Sequence, residues 1–120
     1  MLFSRRIAAS VVVAAAALVT AQSETGDGTF YVPGLGACGI YNDASQYIVG
    51  VSEALWQSHS GSLCNKAISI TYNGLAVQAT ITDVCPYCGG VGDLNMTPAL
   101  FERFAPESAG IIYGVEWVFV

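Results

Sequence analysis

Two cysteines three positions apart and two aspartates ten apart stand together in ITDVCPYCGGVGDLNMT, Ile81 to Thr97. Cys85-Pro86-Tyr87-Cys88 has the form of a redox CxxC. Catalytic versions lie at a helix start in a βαβ setting, where the thiolate is stabilised. This one follows a hairpin strand and runs into glycines, so redox catalysis is not expected. Zinc needs four ligands, and Cys38, Cys64, Cys85 and Cys88 make four. In an oxidising compartment, however, an even set of cysteines in a small domain forms disulfides first. Two disulfides are therefore expected, with no metal and no cofactor. Four cysteines allow three pairings.

The aspartates suggest a second chemistry. Glycan cleavage uses a carboxylic acid to protonate the leaving oxygen, and a second carboxylate as base or nucleophile. Asp83 after a strand and Asp93 before a helix can converge on one groove. Aspartates in such places also serve plainly structural ends, satisfying turn amides and closing loops.

The elements that must position these residues are short. AISITY and LAVQATIT alternate around Asn73-Gly74. Both turn positions tolerate positive φ, so the pattern predicts a β-hairpin. Thr29–Val32 reads as a first strand, stopped by Pro33 and Gly34. QYIVGVS reads as a buried strand and YGVEWVFV as a last strand with alternating faces. SEALWQSH predicts a helical turn capped by Ser52, with Glu53 in its first turn. TPALFERFAP predicts a short helix with Thr97 as cap, Pro98 at its first position, and Leu100, Phe101 and Phe104 on one face. Trp56 and Trp117 are candidate core residues. Asn95-Met96-Thr97 is a glycosylation sequon, disfavoured by the Pro98 that follows. The order is mostly β with little helix, which suits a small barrel.

The chain has 120 residues, room for one small domain. Arg5 and Arg6 precede an apolar run from Ile7 to Ala21 that ends in small residues. That is the pattern of a secretory signal peptide, residues 1–21, and it falls short of the roughly 20 apolar residues of a membrane span. Residues 22–28 are polar and are expected to be a flexible N-terminus; the domain is expected over 29–120. After removal of the signal, Lys66 and Arg103 face nine acidic residues, a formal charge of about −7. Such a surface excludes nucleic acid, whose phosphates need a basic footprint, and anionic lipid. Neutral polymers and basic protein surfaces remain as partners.

Four blocks carry a resemblance: GTFYVPGLGACG, CNKAISITYNGLAVQATITDVCPYC, GDLNMTPALFERFA and GVEWVFV. In this order they resemble the double-psi β-barrel superfamily. The likeness is to secreted fungal proteins similar to rare lipoprotein A and to the barwin-like first domain of expansins. It covers essentially the whole chain after the signal. It implies a mainly β fold, a six-stranded double-psi β-barrel with one or two short helices, a pseudo-twofold pattern and a surface groove. By this resemblance Asp83 and Asp93 match aspartates of the family's groove, and Thr29, Tyr31 and Tyr87 match its threonine and tyrosines. The expansin bridge likewise implies Cys38–Cys64, leaving Cys85–Cys88; the alternative joins Cys85 and Cys88 separately to Cys38 and Cys64.

Members of this superfamily cleave glycans, loosen walls without clear hydrolysis, inhibit cysteine proteases, or act as effectors and allergens. Fold alone does not choose among these. Glycan-cleaving bacterial relatives carry Asp-Arg-Gly-Pro where this chain has Asp83-Val84-Cys85-Pro86, and a histidine before the hairpin. Here the sole histidine, His59, has no match. The expectation is an extracellular, monomeric binder of a cell-wall polysaccharide or of a secreted or host protein, without catalysis. The carbohydrate-binding domain of full expansins is not among these residues. Two alternatives stand beside it: a weak glycan-cleaving enzyme with Asp83 as acid and Asp93 assisting, and a cysteine-protease inhibitor working through loops near Cys38 and Cys85.

Overall fold

A computed structural model describes residues 23–120. The expected signal segment, 1–21, lies outside the described residues. Six strands form in chain order: β1 (Ser23–Phe30), β2 (Ile48–Ser52), β3 (Ala67–Tyr72), β4 (Leu75–Cys85), β5 (Leu94–Met96) and β6 (Ile112–Phe119). Helix α1 (Glu53–Ser58) follows β2, and α2 (Pro98–Phe101) follows β5. A 3-10 turn spans Glu107–Ala109.

The strands close into a barrel in the order β1-β5-β2-β4-β3-β6. Pairs β1–β5 and β2–β4 are parallel; β1–β6, β2–β5, β3–β4 and β3–β6 are antiparallel. Exchanging β1, β2 and β3 with β4, β5 and β6 leaves this set of pairings unchanged. The topology therefore carries the pseudo-twofold that the resemblance implied.

The hairpin forms as the alternation predicts. Pairing runs from Ala67↔Thr80 to Tyr72↔Leu75, and Asn73 and Gly74 take φ of 49° and 81°. Both turn residues are thus left-handed, as a two-residue primed turn requires. The inward positions Ile68, Ile70, Val77, Ala79 and Ile81 join a core with Val49, Val51, Leu94, Met96 and Trp117. All five residues of β2 are buried, because it sits between β5 and β4 with α1 beside it. Ser52 caps α1 as expected: its Oγ accepts the Leu55 amide at 3.1 Å. The same hydroxyl donates to the Val91 carbonyl at 2.8 Å, tying the helix start to the loop before β5.

Four expectations need correction. Residues 23–28 are not a flexible N-terminus: they belong to β1, and the barrel starts at Ser23 rather than at residue 29. Ser23 to Gly26 pair with Val118 to Val115. The order comes from backbone pairing and close packing rather than from apolar side chains. A Cβ on Gly26 would lie 2.4 Å from the Gly92 carbonyl carbon, so glycine is required where these two segments touch. The first strand accordingly ends at Phe30, not Val32, although the Tyr31 amide still donates to the Met96 carbonyl at 2.9 Å. Next, α2 is only one turn, with Phe104 in the irregular turn beyond it. Finally, Thr97 occupies the N-cap position but its hydroxyl does not cap; it donates to the Gln46 carbonyl and pins the chain before β2. The pattern reading also missed β5, whose three residues are too few to show a period.

Candidate functional site

Both disulfides are formed, Cys38–Cys64 and Cys85–Cys88. Among the described residues no cysteine is free, and no cluster of metal-ligating side chains occurs. Cys38–Cys64 anchors the loop before β2 to the segment before β3. Cys85–Cys88 closes a tight loop that pushes Tyr87 outward until it is 94% exposed.

That loop forms one rim of a groove of about 870 Å³. Its walls come from the end of β1, the end of β4 with the Cys85–Gly90 loop, and the start of β5. All five residues expected in a groove line it: Thr29, Tyr31, Asp83, Tyr87 and Asp93. Two further polar residues stand in the same wall, Asp27 and Asn95. Asp27 was hidden in the segment expected to be flexible. Asn95 drew notice only as part of a sequon. The parallel register Thr29↔Asn95 brings it in, and the Thr29 hydroxyl donates to Asn95 Oδ1 at 2.9 Å. The third sequon residue, Thr97, is fully buried.

Both aspartates are engaged as acceptors. Asp83 Oδ2 accepts the Tyr31 phenol at 2.8 Å; Oδ1 accepts the Ala37 amide at 2.9 Å and its neighbour Val84's amide at 2.8 Å. Asp93 Oδ1 accepts the Asp27 amide at 2.9 Å, and Oδ2 accepts the Gly90 amide at 2.8 Å. One carboxylate thus ties β4 to β1 and to the loop after it. The other ties β5 to β1 and to the glycine loop. Burial is the largest cause that pushes the Tyr31 phenol well above its ordinary 10.0, and the hydrogen bond and charge of Asp83 add to it. Tyr31 is therefore a donor at every physiological pH.

His59 stands apart from the groove. Its Nδ1 lies 3.1 Å from the Leu55 carbonyl, and its ring packs 5.6 Å from that of Phe119 beside a smaller cleft. Trp117 is core, with Nε1 donating to the Gly92 carbonyl at 2.9 Å. Trp56 packs against the core from its edge.

Between β1 and β2 the chain makes a hairpin the sequence reading did not foresee. Leu35 pairs with Tyr41 in an isolated antiparallel bridge. The Gly36 amide donates to the Ile40 carbonyl at 3.1 Å, and the Asn42 amide to the Gly34 carbonyl at 3.0 Å. Gly39, with φ of 77°, makes the turn. The GLGACG glycines suggested only a tight path around Cys38.

A closed six-stranded barrel with twofold-related halves and a groove over the ends of β1 and β4 defines this protein as a double-psi β-barrel. The chain belongs to the family of the papain inhibitor of Streptomyces mobaraensis, with which it is 32% identical over 96% of its own length and 92% of the relative's. The solved structure of a Streptomyces papain inhibitor superposes with a TM-score of 0.73, at 33% identity, over 82% of this chain and 94% of that one. An expansin variant of Clavibacter michiganensis in complex with cellohexaose gives a TM-score of 0.70 at 24% identity, over 82% of this chain and 50% of the expansin. The latter likeness is one of fold. No family model matches the chain.

Proposed function

We propose that this protein is secreted and acts, as a monomer without catalysis, as an inhibitor of papain-like cysteine proteases. The observation that carries the reading is the relationship to the papain inhibitor along nearly the full length of both chains. Two disulfides suit an oxidising compartment and a protein exposed to proteases. The geometry of the aspartates also favours binding over catalysis. A general acid must donate a proton to the leaving group, whereas the hydrogen bonds described for Asp83 and Asp93 all use the carboxylate as acceptor.

The test is a titration of papain with the protein purified without residues 1–21, following hydrolysis of a fluorogenic peptide. Activity is expected to fall linearly to zero near one equivalent. Papain rates that stay unchanged at a large molar excess would refute the reading.

The groove favours a second reading, binding of a neutral polysaccharide strand. Tyr87 stands almost fully exposed on its rim and Tyr31 lines its wall. An aromatic ring covers the apolar C–H face of a sugar while its hydroxyl stays wet. Co-sedimentation with cellulose, chitin and peptidoglycan separates the two readings. Retention lost in Tyr87→Ala supports the groove, and released sugar fragments would turn attention to Asp83 as an acid.

A further inference from the structure

We infer that the Gly34–Asn42 hairpin is the element that enters the substrate cleft of a papain-like protease, with Leu35 and Tyr41 as its two apolar anchors. This rests on the inhibitor reading above and names the surface that would carry it.

The hairpin's hydrogen bonds flank the Leu35–Tyr41 pair rather than join it, since they run from Gly36 to Ile40 and from Asn42 to Gly34. In an antiparallel ladder such a pair is the close kind, with both side chains on one face. That face points to water: Leu35 is 60% exposed and Tyr41 77%. Two large apolar side chains are thus held together in solvent, where each contributes nothing to the core. Val32, at the entry to the loop, is 76% exposed as well.

The opposite face is fastened to the barrel. The Ala37 amide donates to Asp83 Oδ1, and the Cys38 amide donates to the Thr82 carbonyl at 3.2 Å. A Cβ on Gly36 would stand 2.8 Å from that same carbonyl oxygen, so the glycine lets the hairpin lie directly on β4. Cys38–Cys64 adds a covalent tie. A loop ordered before binding loses little conformational entropy on binding, which is the advantage a tight inhibitor needs over a flexible peptide.

Charge selects the kind of partner. No charged residue lies between Asp27 and Asp43, so the hairpin itself is neutral, and the Asp83 carboxylate beside it is held by the Ala37 amide and the Tyr31 hydroxyl. A neutral apolar projection can be desolvated in a cleft without stranding an ion. The rest of the domain is strongly acidic and would steer a basic partner toward it.

The decisive experiment measures the inhibition constant against papain for the unmodified protein and for Leu35→Ser, Tyr41→Ser and, as a control on β6 outside the groove, Tyr113→Ala. All three side chains are exposed, and near-ultraviolet circular dichroism checks that each variant is folded. Tyr41→Ser is expected to weaken inhibition by about 30-fold and Leu35→Ser by about 10-fold, with Tyr113→Ala unchanged. Papain already blocked by a covalent peptidyl inhibitor is expected not to bind the unmodified protein. Hairpin variants that inhibit normally, or equal binding to blocked papain, would overturn the site while leaving the inhibitor reading intact. An unmodified protein that leaves papain fully active would overturn both.

Discussion

Tyr31 donates its phenolic hydrogen to Asp83 Oδ2 at 2.8 Å, joining the end of β1 to the end of β4 across 52 positions of chain. The same carboxylate holds the Ala37 amide on its other oxygen. Asp83 is thereby the shared support of two surfaces, the groove and the Gly34–Asn42 hairpin. It lines the groove while its two oxygens accept from three donors, the Tyr31 hydroxyl and the Ala37 and Val84 amides.

A first prediction concerns the titration of Tyr31. Its phenol is raised above the ordinary 10.0, by burial first and by Asp83 second. A phenol whose pKa is higher in the folded state favours folding most fully below pH 10 or so, while it is protonated in both states. That contribution is lost as pH rises from about 10 toward the raised folded value. The Tyr31 phenolate, read as the absorbance difference between this protein and Tyr31→Phe, is expected not to form up to about pH 11. In Asp83→Asn the resistant phenol should titrate at lower pH, but not at the ordinary value, because burial remains. If the Tyr31 phenol ionises at its ordinary value in the folded protein, the Tyr31–Asp83 pair does not exist in solution.

Gly26 supplies a second. Because its missing side chain lets β1 pass directly against Gly92, Gly26→Ala would put a Cβ 2.4 Å from backbone. Neither segment can yield as a flexible side chain would. The expected cost is about 3 kcal/mol, at the upper end for overpacked sites, read as a lower urea midpoint. Gly34→Ala, which meets no atom within 4 Å, should leave the midpoint nearly unchanged. Equal behaviour of the two variants would mean that β1 is not seated as described.

These glycines also explain what was legible in the sequence. The β3–β4 hairpin showed itself because side chains alternate around Asn73-Gly74, two positions that must turn. Asp83 and Asp93 stood out by their spacing after a strand and before a helix, whereas Thr29, Tyr31 and Tyr87 were picked out through family resemblance, not through any local pattern. Residues Ser23–Gly28 were misjudged because their order comes from backbone pairing with β6 and from contact with Gly92, neither of which leaves an apolar period. Asp27 was lost with them. Thr97 looked like a helix cap because its type and position fit; only the three-dimensional path brings the Gln46 carbonyl within its reach. The Leu35–Tyr41 pair was invisible because a one-bridge hairpin has no repeat to detect.

The disulfides should differ in weight. Cys38–Cys64 closes a separation of 26 residues and Cys85–Cys88 one of only 3. Loop-closure entropy assigns about 3.5 kcal/mol to the first and about 2 kcal/mol to the second. Replacing Cys38 and Cys64 together by Ala is therefore expected to lower stability more than replacing Cys85 and Cys88 together, with denaturant unfolding as the readout. Unreduced protein should take up no alkylating reagent. Labelling without reduction would contradict the pairing, and a larger loss from the short loop would show that Cys85–Cys88 acts by shaping the fold around Tyr87 rather than by chain entropy.

Thr82 offers a stabilising change. Its side chain is buried, 3% exposed, and its Oγ1 has no hydrogen-bond partner among the described residues. A buried hydroxyl that has given up water without a replacement bond costs about 1–3 kcal/mol. Valine matches the threonine shape with a methyl in place of the hydroxyl and keeps the β-branch that suits the strand. Thr82→Val is therefore expected to raise stability by about 1 kcal/mol, since part of the gain is absorbed by local repacking. The backbone carbonyl of Thr82, which accepts the Cys38 amide at 3.2 Å, is untouched by the change. Papain inhibition should then be retained while the urea midpoint rises. A lower midpoint would mean that the hydroxyl bonds to an internal water, and that this end of β4 is wetter than its packing suggests.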